Sequence, residues 1–155
     1  MTTRTKTLRA LAVATLVALG PVAVSGPAAA APAVYTPPFS KLALGGHDPV
    51  SYFDGGPVKG DARFTTTLDG VQYRFATAAN LARFKADPKA FLPQYGGYCA
   101  WAVSRGYTAK GDPLTWKIVD GKLYVNFDRE VQKRWAADIP ANISKADKNW
   151  PQVLK

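Results

Sequence analysis

The chain has few of the residues that usually cross-link small domains or bind metal ions. Its 155 residues include one cysteine, Cys99, one histidine, His47, and one methionine, Met1. A single cysteine excludes an internal disulfide, and a single methionine excludes a copper site built from thioethers. Because structural zinc sites use about four ligands, one Cys and one His also fall short of such a site. The fold must therefore depend on burial of apolar surface.

Long hydrophobic runs and clusters of one charge are also missing. Lysine and arginine number 20 against 11 acidic residues, a net charge of +9, but no run of basic residues marks a nucleic-acid groove. The uncharged apolar run at residues 11–20 is shorter than the roughly 20 residues that a spanning helix needs. We therefore expect no nucleic-acid partner and no membrane-spanning helix.

The first 30 residues have the pattern of a secretory signal peptide. Three basic residues within 1–10 precede the apolar run, and Ala28-Ala29-Ala30 supplies small residues for cleavage. No Arg-Arg pair is present there, which favours Sec export over the twin-arginine route. We expect residues 1–30 to be removed, leaving a periplasmic or secreted domain of net charge +6 without stable membrane insertion.

The remaining chain divides into a proline-rich stretch and one domain. Residues 31–41 contain three prolines and are expected to form an extended tether. Residues 42–155 are sufficient for a single domain with one core.

Two segments of this domain match at an offset of 51 residues. DGVQYRFATAANLARFKAD, from Asp69, aligns without a gap with DGKLYVNFDREVQKRWAAD, from Asp120. Each begins with the Asp-Gly pair typical of a hairpin turn. Thr77 and Asp128 then stand where a helix would begin, and Ser144 is expected to cap a last helix. We expect an α+β fold of two β-hairpin-plus-helix units, with one small antiparallel sheet packed by helices.

The segment between the two copies carries the first candidate site. Gln94–Trp101 reads QYGGYCAW and places Cys99 among two glycines and three aromatic rings. The other rare residue, His47, lies in a tight turn, GGHDPV, that starts at Gly45.

Several motifs, taken in order, resemble the YHS domain, a module of the metallochaperone-like group. GGHDPVSYF, YGGYCAWAVSRG, DGKLYVNF and ADKNW are together similar to exported bacterial proteins that contain this domain. The resemblance implies a YHS-type fold over nearly all of the chain after residue 30. In the metal-binding members three cysteines occupy the positions of Ser51, Ala76 and Asn80, so their three-thiol site is not carried over.

Cys99 and His47 are the candidates for a different metal site. Thiolate is a soft donor that suits copper(I), zinc or haem iron, and imidazole suits several of these metals. The hypothesis is a small exported binding domain that holds copper transiently at His47 and Cys99. It requires that folding bring the sulfur and the imidazole into one pocket.

Three alternatives remain open. Cys99 could be a buried structural residue, as free cysteines often are. The domain could instead bind a small ligand such as haem, or a protein partner, through its aromatic residues Tyr95, Tyr98, Trp101, Tyr107 and Trp116. It could also be a thiol enzyme with Cys99 as nucleophile, His47 as base, and Asp48 or Asn126 as orienter. That last alternative needs an exposed thiol with a lowered pKa.

Isolated basic residues complete the set of candidates. Arg63, Arg74, Arg105 and Lys110 are spread over predicted strands and loops. Because they do not cluster in the sequence, we interpret them as a solvated face rather than as an anion site.

Overall fold

The two hairpin-plus-helix units are present in the computed structural model, which describes residues 30–155. Strands β1 (Asp61–Leu68) and β2 (Val71–Phe75) precede helix α1 (Ala78–Ala86). A short helix α2 (Ala100–Ser104) comes next, followed by β3 (Asp112–Val119), β4 (Lys122–Asn126), α3 (Arg129–Ala136) and α4 (Ile139–Asn149). The α+β fold is confirmed. The signal-peptide prediction lies outside the described residues except at Ala30, and no helix within 30–155 is long and apolar enough to span a bilayer.

Local sequence signals account for most element boundaries. Asp69 and Asp120 have φ angles of 50° and 49°, as the first positions of tight hairpin turns that glycine completes. The side chains of Thr77 and Asp128 each accept a hydrogen bond from the backbone N–H three residues later, and they cap α1 and α3. The expected cap at Ser144 is wrong. Asp138 caps α4 instead, since its side chain accepts a hydrogen bond from the Ala141 N–H. Pro140 lies in the first turn of this helix, where proline is tolerated.

The structural repeat also includes residues that precede the two aligned sequence segments. Leu44 and Gly45 have φ angles of 50° and 57°, and their equivalents Tyr95 and Gly96 have φ angles of 53° and 60°. The isolated bridge between His47 and Lys59 recurs 51 residues later, between Tyr98 and Lys110. We therefore define the first unit as residues 42–92 and the second unit as residues 93–143.

The four strands do not form the single sheet that was expected. β1 pairs with β2, and β3 pairs with β4, in two separate antiparallel sheets. The other edge of β2 is bridged in parallel by Leu42, and that of β4 by Pro93 and Cys99. Since each unit's own leading segment occupies the edge that a second hairpin would need, the sheets remain two-stranded.

Each unit buries one large ring between its hairpin and its helix. Phe84 of α1 packs on Tyr73 of β2, and the equivalent Trp135 of α3 packs on Tyr124 of β4. Phe84 and Trp135 are almost completely buried. Tyr52 joins the units by donating a hydrogen bond to the Pro113 carbonyl at 2.9 Å. These contacts supply the apolar burial on which a fold without disulfides depends.

Residues 31–41 contain no helix or strand, turn at residues 37–40 with Phe39 at a φ of 61°, and pack against the second unit. The backbone N–H of Tyr35 donates to Gly96 O at 2.9 Å, and the Tyr98 hydroxyl donates to Pro32 O at 2.8 Å. The rings of Tyr35 and Tyr98 lie 5.6 Å apart. This stretch is therefore part of the fold and not a free tether.

The packing of residues 31–41 predicts a cost for Gly96→Ala. A Cβ at Gly96 would lie 1.9 Å from Ala33 O, whereas one at Gly70 would meet nothing within 4 Å. Both glycines have positive φ, so each alanine should cost about 1–2 kcal/mol from conformation alone. We expect Gly96→Ala to lower the free energy of unfolding by roughly 1–3 kcal/mol more than Gly70→Ala, measured by urea denaturation. Equal losses would contradict the packing of this stretch.

Candidate functional site

Cys99 lies at the edge of β4, immediately before α2. Its backbone N–H donates to Ala109 O at 3.0 Å, and it forms the parallel bridge with Val125. The residue is 1% exposed, and its sulfur contacts Asn126 Oδ1 at 3.8 Å. The closure of the second unit on its own hairpin therefore fixes the thiol in place.

The environment of the thiol favours its neutral form. Burial raises the pKa of Cys99, and the nearby backbone N–H groups of Ala102, Phe127 and Trp101 oppose this rise. The charge of Asp128 raises the pKa further. A buried, protonated thiol lacks both properties that nucleophilic catalysis requires, so the geometry does not favour the thiol-enzyme alternative.

A carboxyl group occupies the equivalent position of the first unit. Asp48 corresponds to Cys99 at the offset of 51 and is fully buried. Its oxygens accept hydrogen bonds from the backbone N–H groups of Val50 and Ala76, both at 2.8 Å. The side-chain amide of Asn80 donates a third bond at 2.7 Å.

The two units therefore place different groups against the same backbone. Trp101 and Phe127 are the equivalents of Val50 and Ala76, and their N–H groups act to lower the pKa of Cys99, although that of Trp101 donates to Asn126 Oδ1 at 3.1 Å. The third partner changes, because Val131 replaces the Asn80 amide and offers no donor. Equivalent backbone positions thus surround a carboxyl group in the first unit and a thiol in the second.

Cys99 also forms part of the wall of a cavity of about 290 Å³, which we call the Cys99 pocket. Its walls are mainly apolar, and they combine three aromatic rings with the thiol and one cation. The lining residues are Cys99, Trp101, Ala102, Tyr107, Ala109, Phe127, Val131 and Arg134.

The aromatic walls remain partly accessible to solvent. Tyr107 is 52% exposed and Phe127 is 39% exposed, although both are large apolar side chains. The guanidinium of Arg105 lies 4.0 Å from the centre of the Trp101 ring, and the Lys110 ammonium lies 4.9 Å from that of Phe127. The basic residues interpreted as a solvated face thus include two that stack on rings of this pocket.

The first unit has a cavity at the equivalent place, with different walls. It measures about 470 Å³, is more open, and we call it the first-unit pocket. Five lining positions coincide in the two cavities: Ser51, Gly56, Val58, Ala76 and Asn80 in the first correspond to Ala102, Tyr107, Ala109, Phe127 and Val131 in the second. At four of these positions the second unit has apolar groups or rings where the first has small or polar residues, whereas Val58 is replaced by the smaller Ala109.

His47 lies in the first unit, beside Asp48, and is not a lining residue of the Cys99 pocket. Its Nδ1 is 2.9 Å from Leu44 O, and the ring is half-buried. Burial lowers the pKa of His47, the Leu44 carbonyl opposes this, and the charge of Lys59 lowers it further. Within residues 30–155 no three His, Cys, Asp or Glu side chains gather as metal ligands. Copper binding at His47 and Cys99 stays a prediction.

The other predicted aromatic residues have different roles. Of the five, Trp101 and Tyr107 line the pocket. Tyr95 is buried and donates to Asp147 Oδ1 at 2.8 Å, Tyr98 packs at a tilt against Tyr35, and Trp116 packs edge-on against Tyr52.

Sequence reasoning missed the walls contributed by Phe127, Val131 and Arg134. A signal for two of them was present in the repeat. Ala76 and Asn80 were singled out as positions that hold cysteines in the family the chain resembles, and adding the offset of 51 leads to Phe127 and Val131.

Comparisons with protein-family models, curated proteins and solved structures gave no match. The YHS resemblance therefore stays a prediction, and the site is interpreted from its own geometry.

The raised pKa of Cys99 predicts slow alkylation of the folded protein. We expect iodoacetamide to react slowly at neutral pH and faster as the pH rises past the ordinary thiol pKa of about 8.5. Mass spectrometry would follow the reaction, with protein in guanidinium chloride as the control. Equal rates in the folded and unfolded protein at neutral pH would contradict a buried neutral thiol.

The same pKa difference links Cys99 to stability at alkaline pH. The pKa of Cys99 is higher in the folded than in the unfolded protein. The neutral thiol therefore contributes fully to stability below the unfolded pKa, and this contribution is lost as the pH rises from the unfolded to the folded pKa. Wild-type protein should lose more unfolding free energy than Cys99→Ala between about pH 8 and about pH 10. Tyrosines such as Tyr73, whose pKa burial raises to about 12, contribute from about the ordinary tyrosine value of 10 upward and are present in both proteins, so the comparison with Cys99→Ala cancels them.

Copper titration separates the roles of the two rare residues. Because His47 is not a wall of the Cys99 pocket, we expect His47→Ala to leave copper(I) affinity unchanged, whereas Cys99→Ser removes the soft donor and lowers it. Competition with a chromogenic copper(I) chelator under reducing conditions would measure this. A similar loss in both variants would instead indicate a shared ion, and no difference among the three proteins would remove the copper site.

Proposed function

We propose that this protein is a non-enzymatic domain that binds a small, flat, mainly apolar ligand in the Cys99 pocket. The observation that carries the proposal is the set of rings around this cavity, two of which are partly exposed. Exposed aromatic side chains around a concave, largely apolar site are typical of ligand binding.

The size of the cavity limits the ligand. A volume of about 290 Å³ is near the lower end of the roughly 300–1,000 Å³ found for ligand pockets. A molecule of two fused rings fits this volume, whereas haem is too large to be enclosed. Burying on the order of 200 Å² of apolar surface would contribute about 5 kcal/mol before the costs of association. Apolar contact alone therefore supports only weak binding.

The contrast with the first-unit pocket supports the choice of cavity. There the walls include Ser51 and Asn80, and the mouth holds an ion pair between Asp54 and Arg83. A flat apolar ligand would leave those polar groups without water or partners, which is costly. The Cys99 pocket offers Ala102 and Val131 at the two equivalent positions.

The thiol contributes to the floor of the pocket as a small apolar group. A neutral, buried cysteine packs like other small hydrophobic residues and donates only weakly. In this proposal Cys99 shapes the site but performs no chemistry. The export pattern of residues 1–30 supports a periplasmic or secreted location for this domain.

Binding of naphthylmethanol, a neutral two-ring alcohol, tests the proposal. We expect it to shift the backbone NMR signals of Tyr107, Ala109 and Phe127 in the wild-type protein. Phe127→Ala and Tyr107→Ala should each weaken binding about threefold to tenfold, because each removes one aromatic wall. Leu114→Ala is the control, since Leu114 is 60% exposed and does not line the pocket. Shifts that lie elsewhere, or binding that neither wall variant weakens, would contradict the proposal.

A further inference from the structure

We infer that the ligand of the Cys99 pocket is an acid, a flat apolar molecule whose carboxylate pairs with Arg134 at the mouth. This inference rests on the proposed function and adds the charge of the ligand to it. It follows from a comparison of the mouths of the two pockets.

At the mouth of the first-unit pocket, the positive charge of an arginine is paired with a carboxylate. Arg83 of α1 forms a bidentate pair with Asp54, and one of its two hydrogen bonds measures 3.1 Å. Asp54 lines the first-unit pocket, so the guanidinium already has an anionic partner there.

In the second unit the same pair cannot form. The equivalent of Arg83 is Arg134, which lines the Cys99 pocket, and the equivalent of Asp54 is Arg105. A guanidinium thus stands where the first unit supplies the carboxylate. The ion pairs found within residues 30–155 join Arg63 to Asp61, Arg83 to Asp54 and Lys133 to Glu130, so none of them involves Arg134 or Arg105.

The other charged residues near the pocket also favour an anionic ligand. Arg105 and Lys110 stack on Trp101 and Phe127, so two more cations lie against its aromatic walls. The acid whose charge acts on Cys99 is Asp128, and its Oδ1 caps α3 by accepting from Val131 N at 2.8 Å. Glu130, on the same helix, pairs with Lys133. Three cations therefore lie at or beside the walls of a mainly apolar cavity, and the oxygen of Asp128 that caps α3 already has a partner.

This arrangement discriminates among ligand charges. A cationic ligand would be repelled by three like charges, and Arg105 and Lys110 already make the cation–π contacts found at Trp101 and Phe127. A neutral ligand would gain only the weak apolar contribution. An anionic group can accept charge-assisted hydrogen bonds from the planar guanidinium of Arg134, and these are stronger than bonds between neutral groups.

Three molecules that share one ring system test the inference: β-naphthoate, naphthylmethanol and naphthylmethylammonium. We expect wild-type protein to bind β-naphthoate about tenfold more tightly than the alcohol, and the ammonium compound most weakly. The preference for the anion should decrease with added salt, because the mouth is exposed. NMR titration gives each affinity and the location of binding.

Variants of the mouth show whether Arg134 carries the preference. Arg134→Gln should remove the advantage of β-naphthoate while leaving the affinity for naphthylmethanol unchanged. Arg105→Asp should do the same, because it restores the carboxylate that the first unit has at this position. Arg83→Gln removes the same charge from the equivalent position of the first unit and should leave all three affinities in the Cys99 pocket unchanged.

The outcomes separate this inference from the proposed function. If naphthylmethanol binds in the Cys99 pocket as tightly as β-naphthoate, and Arg134→Gln alters neither affinity, the pocket is a ligand site but the ligand is not an acid. If none of the three molecules shifts residues of the pocket, both the proposed function and the inference are wrong.

Discussion

The structure depends on one backbone contact made twice: the chain that leads into each unit closes the free edge of that unit's inner strand. Leu42 bridges Gln72 of β2, and Pro93 and Cys99 bridge Leu123 and Val125 of β4. The left-handed residues of the glycine turns redirect the chain so that this return is possible. The closure separates the two sheets, places Asp48 and Cys99 at equivalent buried positions, and leaves a cavity beside each of them.

How much of this the sequence predicts depends on the distance between the interacting residues. The hairpins and their helices follow from signals a few residues apart, namely Asp-Gly turns and the caps Thr77 and Asp128. The two-sheet arrangement and the docking of residues 31–41 depend on contacts across tens of residues. No local pattern encodes them, so one sheet and a free tether were the natural expectations.

The site was predicted in part for the same reason. Cys99 is a rare residue in an unusual segment, and it does line a pocket. His47 was paired with it because both residue types occur once, and rarity carries no information about distance. Arg105 and Lys110 are exposed, as their isolation in the sequence predicts, but folding also places each above an aromatic ring, which the sequence does not show. The repeat offered the one route to the missed walls, since equivalent positions of the two units line equivalent cavities.

The thiol explains why the second pocket can be apolar. A buried carboxyl group such as that of Asp48 needs a full set of donors, and its third donor comes from the Asn80 side chain. A neutral thiol has no such need, so Val131 can stand where Asn80 does and the wall becomes apolar. Charge is then confined to the mouth, where Arg134 and Arg105 remain in contact with solvent and avoid the cost of burial. An apolar floor below a cationic mouth is the arrangement that selects a molecule with one flat apolar part and one acidic group.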